Sequence, residues 1–342
     1  MIGIAERDLD EVVTRTEDVW RSLRGARLFM TGASGFYGAW LVATFAHAKK
    51  RLGIDIPLTI LTRSPDDARA RLPGLFEAAG AELVAGDVRS FALAGAFSHV
   101  VHGATSASAA LNFGNPFEMF DVIVDGTKRC LEVARAAGAT RFLLTSSGAV
   151  YGPQSAGMTH VAEDHRGGPD PLDVGNAYAE GKRAAEHLCA IFALSAKMEL
   201  VVTRGFAFVG AYLPLDTHFA VGNFLRDALA GGPIRILGDG TPYRSYMYGT
   251  DLATWTWTML ARGTGAYNLG SDDGRPLGEI AGRVAALAGV TVEIAKKPVP
   301  GAIASRYVPA TARAKELGLS LEVPLDEAIS RTIAFHSSKK SE

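Results

Sequence analysis

A tyrosine and a lysine four residues apart, Tyr178 and Lys182 in NAYAEGKRAAEHL, carry the clearest chemical potential in the chain. The stretch otherwise reads helical, and positions i and i+4 project from one face, so the ammonium can sit beside the phenol. A free tyrosine has a pKa of about 10 and is too weakly ionised to act as a base near neutrality. A neighbouring cation favours the phenolate and brings proton abstraction within reach. Ordinary surface helices contain such pairs too, so this one needs company. Ser147, at the end of an earlier strand, offers a hydroxyl that can hold the same substrate oxygen.

That company lies in residues 27–41, RLFMTGASGFYGAWL. Leu28 to Met30 read as a buried strand, Gly32, Gly35 and Gly38 as a turn, and Tyr37, Trp40 and Leu41 as the opening of an amphipathic helix. The free N–H groups of a first helical turn point at an anion, so strand, turn and helix in that order make a diphosphate site. Gly32 allows the tight turn, Gly35 the close approach of a pyrophosphate, and Gly38 the packing of helix on strand. A dinucleotide is therefore expected on the backbone of Ser34, Gly35 and Phe36. The ring charge of an oxidised nicotinamide adds to the effect of Lys182 on Tyr178.

The 342 residues suffice for a well-buried core and two unequal lobes. With 35 basic against 36 acidic side chains, nothing points to a nucleic-acid or membrane-surface partner. Cys130 and Cys189 both fall in apolar helical patterns and read as buried, reduced thiols of a cytoplasmic protein with no metal site. No secretory leader shows in the polar first 20 residues. No run approaches the roughly 18–20 apolar residues of a membrane span.

The elements that must position these side chains alternate along the chain. An amphipathic helix over 6–23 precedes the first strand, and a helix over 39–52 follows the glycine turn. Strands are expected at 57–62, 83–85, 99–102, 141–146 and 199–203, with helices at 66–79, 116–137 and 176–196 between them. A small-residue loop, GATSASAALN, leaves the fourth strand where ligands sit in a parallel sheet. The result is an α/β fold, a Rossmann-type doubly wound parallel sheet over residues 1–204. From 205 to 336 the segments shorten into a smaller carboxyl-terminal substrate-binding lobe, parts of which return to the sheet, and 337–342 form a frayed tail.

Taken together, the glycine turn, TSSGAVYG at a strand end and YAEGK on the next helix resemble the extended short-chain dehydrogenase/reductase family, within it the nucleotide-sugar epimerases and dehydratases. VAGDVRSF, GDGTPYRSYMYGTDLA and ARAKELGL extend the resemblance from Gly25 to about His336. It implies that Tyr178 is the general base, that Lys182 lowers its pKa and holds the nicotinamide ribose, and that Ser147 orients the reacting hydroxyl. It also places Asp87 and Val88 near the adenine. The implied activity is epimerisation of a nucleotide-linked sugar through a transient keto intermediate. The family's 4,6-dehydratases eliminate water with an Asp-Glu pair before Val-Tyr-Gly, and here Gly148 and Ala149 offer neither group.

Other departures bear on the substrate. Ile123 and Ala207 stand where the family commonly has asparagine, and Arg244-Ser245 replaces its Arg-Asp pair. Arg244 can grip a diphosphate bidentately, with Arg204 and Arg306 as further substrate-binding candidates. At the end of the second strand, Thr62-Arg63-Ser64 lacks the acid that NAD-specific members offer to the ribose, and Arg63 suits the 2′-phosphate of NADP. The resemblance favours NAD. Arg63 motivates an alternative, an NADPH-dependent keto-sugar reductase, and the altered asparagine positions allow another, a non-catalytic redox sensor. A homodimer through helices 116–137 and 176–196 is also implied.

Overall fold

The computed structural model describes residues 3–105, 112, 114–216 and 219–338. The first part of the chain supplies β1 (Leu28–Thr31), β2 (Leu58–Thr62), β3 (Ala81–Ala85), β4 (His99–His102), β5 (Arg141–Ser147) and β6 (Glu199–Gly205). The shorter strands that follow are β7 (Phe208–Val209), β8 (Ile234–Ile236), β9 (Tyr243–Arg244), β10 (Met247–Tyr248) and β11 (Gly265–Leu269). The last are β12 (Arg275–Pro276), β13 (Val292–Ile294) and β14 (Arg306–Tyr307). Among the helices, α1 (Glu6–Arg15), α2 (Glu17–Ser22), α3 (Phe36–Leu52), α4 (Pro65–Arg71), α5 (Leu75–Ala79), α6 (Pro116–Ala136) and α7 (Ala177–Ala196) flank the sheet. In the second half lie α8 (Ala220–Leu229), α9 (Gly249–Arg262), α10 (Leu277–Ala288), α11 (Ala312–Glu316) and α12 (Leu325–Ser338).

The main sheet has seven strands in the order β11-β6-β5-β4-β1-β2-β3, and every pairing in it is parallel. Side chains alternate between its faces, as the two-residue period of a strand requires. Leu28, Met30, Val101, Leu143 and Val201 pack on the α3 side, whereas Phe29, Val100, Phe142, Leu144 and Val202 pack on the α6 and α7 side. Both faces are thus apolar and covered by helices, which is the expected doubly wound sheet. β11 comes from beyond residue 205 and extends it by pairing with β6.

Two expected helices are broken. The 6–23 segment divides at Thr16, whose φ of −121° leaves helical space while its Oγ1 donates to the Val12 carbonyl at 2.6 Å. The 66–79 segment divides at Pro73-Gly74, where Gly74 has φ +73° and starts α5. Both breaks are local side-chain and backbone effects that periodicity overlooks. The loop expected over 103–112 lies outside the described residues from 106 to 111, as does the tail from 339 onward. Trp255 and Trp257 are fully buried in α9, and Trp257 stacks obliquely on Trp20 at 4.7 Å.

The amino-terminal helices are bolted to the second lobe. Arg15 pairs with the buried carboxylate of Asp251 at 2.7 Å, and Asp8 accepts from Tyr248 OH at 2.6 Å and from Arg331 at 2.7 Å. Among the described residues no helix is long and apolar enough to cross a membrane.

Candidate active site

Strand order reverses between β1 and β4, and at such a switch point the crevice beyond the strand ends opens to ligands. On its β1 side, Thr31 Oγ1 accepts from the Gly103 and Ala104 amides at 3.2 and 3.0 Å, tying the glycine turn to the chain leaving β4. Gly32 has φ +78°, and a Cβ there would lie 2.4 Å from the Gly103 backbone. A Cβ on Gly38 would lie 2.3 Å from Ala33 Cα. Gly35 is different: its nearest neighbour would be 3.8 Å away, and it begins α3 with no side-chain cap. Two glycines therefore permit close packing, while the third keeps space open over a helix N-terminus, with Ser34 and Phe36 half-buried on either side. This cradle fits a pyrophosphate. The buried Thr105 hydroxyl beyond β4, which finds no partner among the described residues, is a further polar group facing unfilled demand.

At the ends of β2 and β3, Arg63 is exposed and Thr62 half-buried, and Ser64 caps α4 by accepting from Asp67 N at 3.2 Å. Asp87 spends both carboxylate oxygens on the Arg89 guanidinium, at 2.9 and 2.7 Å. That clamp, with a smaller contribution from Arg63, holds its pKa at about 2. Arg89, which also reaches Asp121 at 2.8 Å, was not singled out by sequence. Val88 is buried against α6, where any Cβ on Gly126 would press on it at 2.9 Å.

The polar centre lies across the crevice. β5 ends at Ser147, whose Oγ accepts from Ala149 N at 3.2 Å as the chain turns through Gly148–Tyr151. The first turn of α7 is pinned by Asn112, whose Oδ1 accepts from Tyr178 N at 3.0 Å while its Nδ2 donates to Gly175 O at 2.7 Å. One turn on, Lys182 is only 3% exposed and donates from Nζ to Thr145 O at 2.8 Å. Its ammonium sits 5.9 Å from the centre of the Tyr178 ring. The structure thus brings Ser147, Tyr178 and Lys182 together.

One electrostatic expectation is corrected. Burial pushes the Tyr178 phenol above its ordinary value, and the only opposing influence is the hydrogen bond from Ser147. Lys182 contributes no lowering in the cofactor-free protein because its Nζ is directed at the β5 carbonyl, and burial has itself brought its pKa down to about 8. The nicotinamide cofactor, when bound, supplies the hydride chemistry and a positive ring charge that favours the phenolate.

The three arginines part company. Arg204 is engaged in structural pairing: it meets Glu186 at 2.7 Å, Tyr151 OH at 2.8 Å and Glu163 O at 3.0 Å, so its charge is largely matched within the protein. Arg306 lies flat on Tyr243, 3.7 Å from its ring centre. Arg244 donates to Tyr243 O at 2.8 Å and faces the Tyr307 ring at 6.0 Å. Tyr307 was not foreseen at all, yet its hydroxyl is 3.4 Å from Ser147 Oγ. Its two-residue strand, 160 positions from Ser147, leaves no periodic signal in the sequence.

A sequence profile described as the NAD dependent epimerase/dehydratase family matches residues 28–270. UDP-glucuronic acid decarboxylase 1 of Arabidopsis thaliana is 29% identical over 311 residues, covering 90% of this chain and 69% of that protein. Relatives of the same name in Arabidopsis thaliana and Danio rerio are spanned over 38% to 76% of their length. The Thermus thermophilus UDP-glucose 4-epimerase in complex with NAD superposes with a TM-score of 0.75 at 24% identity, over 91% of this chain and 99% of that one. RMD of Pseudomonas aeruginosa, complexed with NADPH, superposes with a TM-score of 0.70 at 23% identity, over 92% and 99%.

Two outcomes follow from the geometry. Gly35→Ala meets no atom closer than 3.8 Å, so its thermal stability should match the parent protein, while the methyl intrudes on the pyrophosphate. Calorimetric titration should show NAD binding weakened roughly tenfold or more, and unchanged affinity would refute the cradle. Lys182 is held near 8 in the folded protein against an ordinary value of 10.5. Between those values the unfolded chain binds the extra proton, so stability rises with pH there, and the burden is fully present below about 8. Lys182→Met should therefore stabilise the cofactor-free protein at pH 7 by roughly 2 kcal/mol, after loss of the bond to Thr145. Urea titrations should show that gain shrinking through the same window, and a gain that grows with pH contradicts a buried ammonium.

Proposed function

The chain belongs to the NAD-dependent epimerase/dehydratase family, and from that premise we propose that it epimerises a nucleotide-linked sugar through a transient keto intermediate. The observation that carries the reading is the convergence of Ser147, Tyr178 and Lys182 beside the open Gly35 cradle. Ser147 holds the reacting sugar hydroxyl, Tyr178 removes its proton as the carbon is oxidised, and Lys182 keeps a positive charge near the phenolate that forms. Arg244, which faces the Tyr307 ring, is on this reading the cation that meets the substrate diphosphate. NAD is the favoured cofactor, and the exposed Arg63 leaves the adenosine end compatible with the 2′-phosphate of NADP.

Decarboxylation is a second reading, favoured by the relatives named UDP-glucuronic acid decarboxylase. Oxidising the hydroxyl β to a carboxylate gives a β-keto acid. Its carbon–carbon bond breaks to release carbon dioxide, the electron pair passes into the new ketone as an enolate, and a proton then returns to carbon. No acid–base pair at Gly148 and Ala149 is needed. Both readings share the first oxidation and the same three residues.

The test supplies the protein with NAD and either UDP-glucose or UDP-glucuronic acid and identifies the products by mass spectrometry and NMR. An epimer formed without net cofactor reduction is the expected result, and carbon dioxide released from the glucuronate selects the second reading. Net accumulation of reduced cofactor with neither product overturns both. Tyr178→Phe should slow whichever reaction occurs by roughly 10²–10⁴-fold.

We extend the proposal to a homodimer through α6 and α7. Phe117, Ile191 and Leu194 are 81%, 51% and 86% exposed on these helices, a cost in water that a second copy removes. Sedimentation should give twice the chain mass, and Leu194→Glu should shift it to the monomer; a monomeric parent protein refutes the surface.

A further inference from the structure

His102 is a buried imidazole that the proposed reaction does not use, one hydrogen bond away from the residue that opens the glycine turn. At the end of β4 it is 3% exposed, with Nδ1 2.8 Å from Thr31 Oγ1 on β1 and Nε2 3.1 Å from Thr127 Oγ1 on α6. Its neighbours decide which nitrogen carries the proton. Thr127 Oγ1 gives its own proton to the Ile123 carbonyl at 2.7 Å, so it accepts from His102, and Nε2 is the donor. Thr31 Oγ1 accepts from the Gly103 and Ala104 amides at 3.2 and 3.0 Å, which fill its two lone pairs. Its proton therefore goes to Nδ1, which must be bare.

Both ends of the ring thus require the same tautomer. Burial, reinforced by the charge of Lys182, lowers the His102 pKa to about 3, so the ring is neutral near pH 7. Phe142 covers it from β5, at 6.1 Å between ring centres. A proton on Nδ1 would oblige Thr31 to accept from the ring and to release one amide. The Gly103 amide is shared with the Thr31 carbonyl at 3.1 Å, so Ala104 N is the one that depends on the hydroxyl. These two residues wall the glycine turn: a Cβ on Gly32 would lie 2.4 Å from the Gly103 carbonyl and 2.7 Å from Ala104 N.

We propose that His102 is a positioning residue for the dinucleotide: its Nδ1 lone pair takes the Thr31 proton and so frees the hydroxyl oxygen to hold Gly103 and Ala104 against the glycine turn. The role rests on a dinucleotide occupying the Gly35 cradle, and it is independent of which sugar reaction follows. Through Thr127 the same ring ties the turn to α6.

The test begins with long-range proton–nitrogen NMR of the parent protein without cofactor. The His102 ring, assigned through its backbone, should be neutral with its proton on Nε2, and a proton on Nδ1 overturns the proposal. NAD affinity is then measured by calorimetric titration. His102→Leu should weaken binding roughly tenfold, about what one lost hydrogen bond is worth. His102→Asn places Oδ1 where Nδ1 stood and should recover most of that loss, which a mere packing defect would not. Thr31→Val removes the hydroxyl itself, so adding His102→Leu to it should weaken NAD binding no further. Parent-like affinity in His102→Leu overturns the proposal, as does an undiminished loss in the Thr31→Val background. A parent protein that binds no NAD defeats the cradle and this role with it, whereas NAD binding without sugar turnover defeats only the proposed reaction.

Discussion

An ammonium group kept almost entirely out of water is the constraint on which the site depends. Lys182 is held by one carbonyl, Thr145 O at the end of β5, and by the field of Glu186 one turn further along α7. Neither fully replaces hydration, and the depressed pKa measures the shortfall. Such a charge persists only where the surrounding fold over-determines its position. α7 lies tightly on α6, because a Cβ on Gly181 would come within 3.2 Å of Ile123. Ile123 stands in a place where the family commonly has asparagine, and here it is core rather than a polar partner of the site.

The same logic explains why the two lobes are tied so heavily. β11 adds to the main sheet after a long excursion, and the buried carboxylates of Asp8 and Asp251 join the amino-terminal helices to α9, β10 and α12. Asp251 is raised by burial against the pull of Arg15 and two backbone amides, so breaking the pair would strand a charge. Bolted in this way, the second lobe can offer Tyr307 and Arg244 to a site built on the first. A hydrogen bond of 3.4 Å between lobes has meaning only if neither lobe drifts.

What sequence could disclose was governed by distance along the chain. The glycine turn spans seven residues and the tyrosine–lysine pair five, so their spacing alone fixes a local geometry that the fold preserves. The sheet was legible because parallel strands buried on both faces are apolar throughout. Asn112, Arg89 and Tyr307 were not legible, since each acts through a partner on another element, and short strands have no period to detect. The partners of Arg204 were hidden for the same reason. Its charge looks available until Glu186 and Tyr151 are folded against it. The sign of the Tyr178 shift also needs packing: four-residue spacing predicts a helpful cation, but only the fold shows the ammonium turned to Thr145 O and the phenol raised by burial.

The turn after Ser147 sets the limit on what chemistry is available. Gly148 is buried against Phe206, where a Cβ would lie 2.7 Å from the ring, so this position is committed to packing and cannot carry an acid. Ala149 supplies its amide to Ser147 and has no proton to offer from its side chain. These two positions therefore hold no acid–base pair to expel water, whereas oxidising a hydroxyl and re-reducing a ketone call for none there. Whether the keto sugar is then turned over or sheds a carboxylate depends on how it is held, and the second lobe carries Arg244, facing Tyr307, and Arg306, over the Tyr243 ring. On the proposed reading, the first lobe carries the groups that start the reaction and the second those that choose its product.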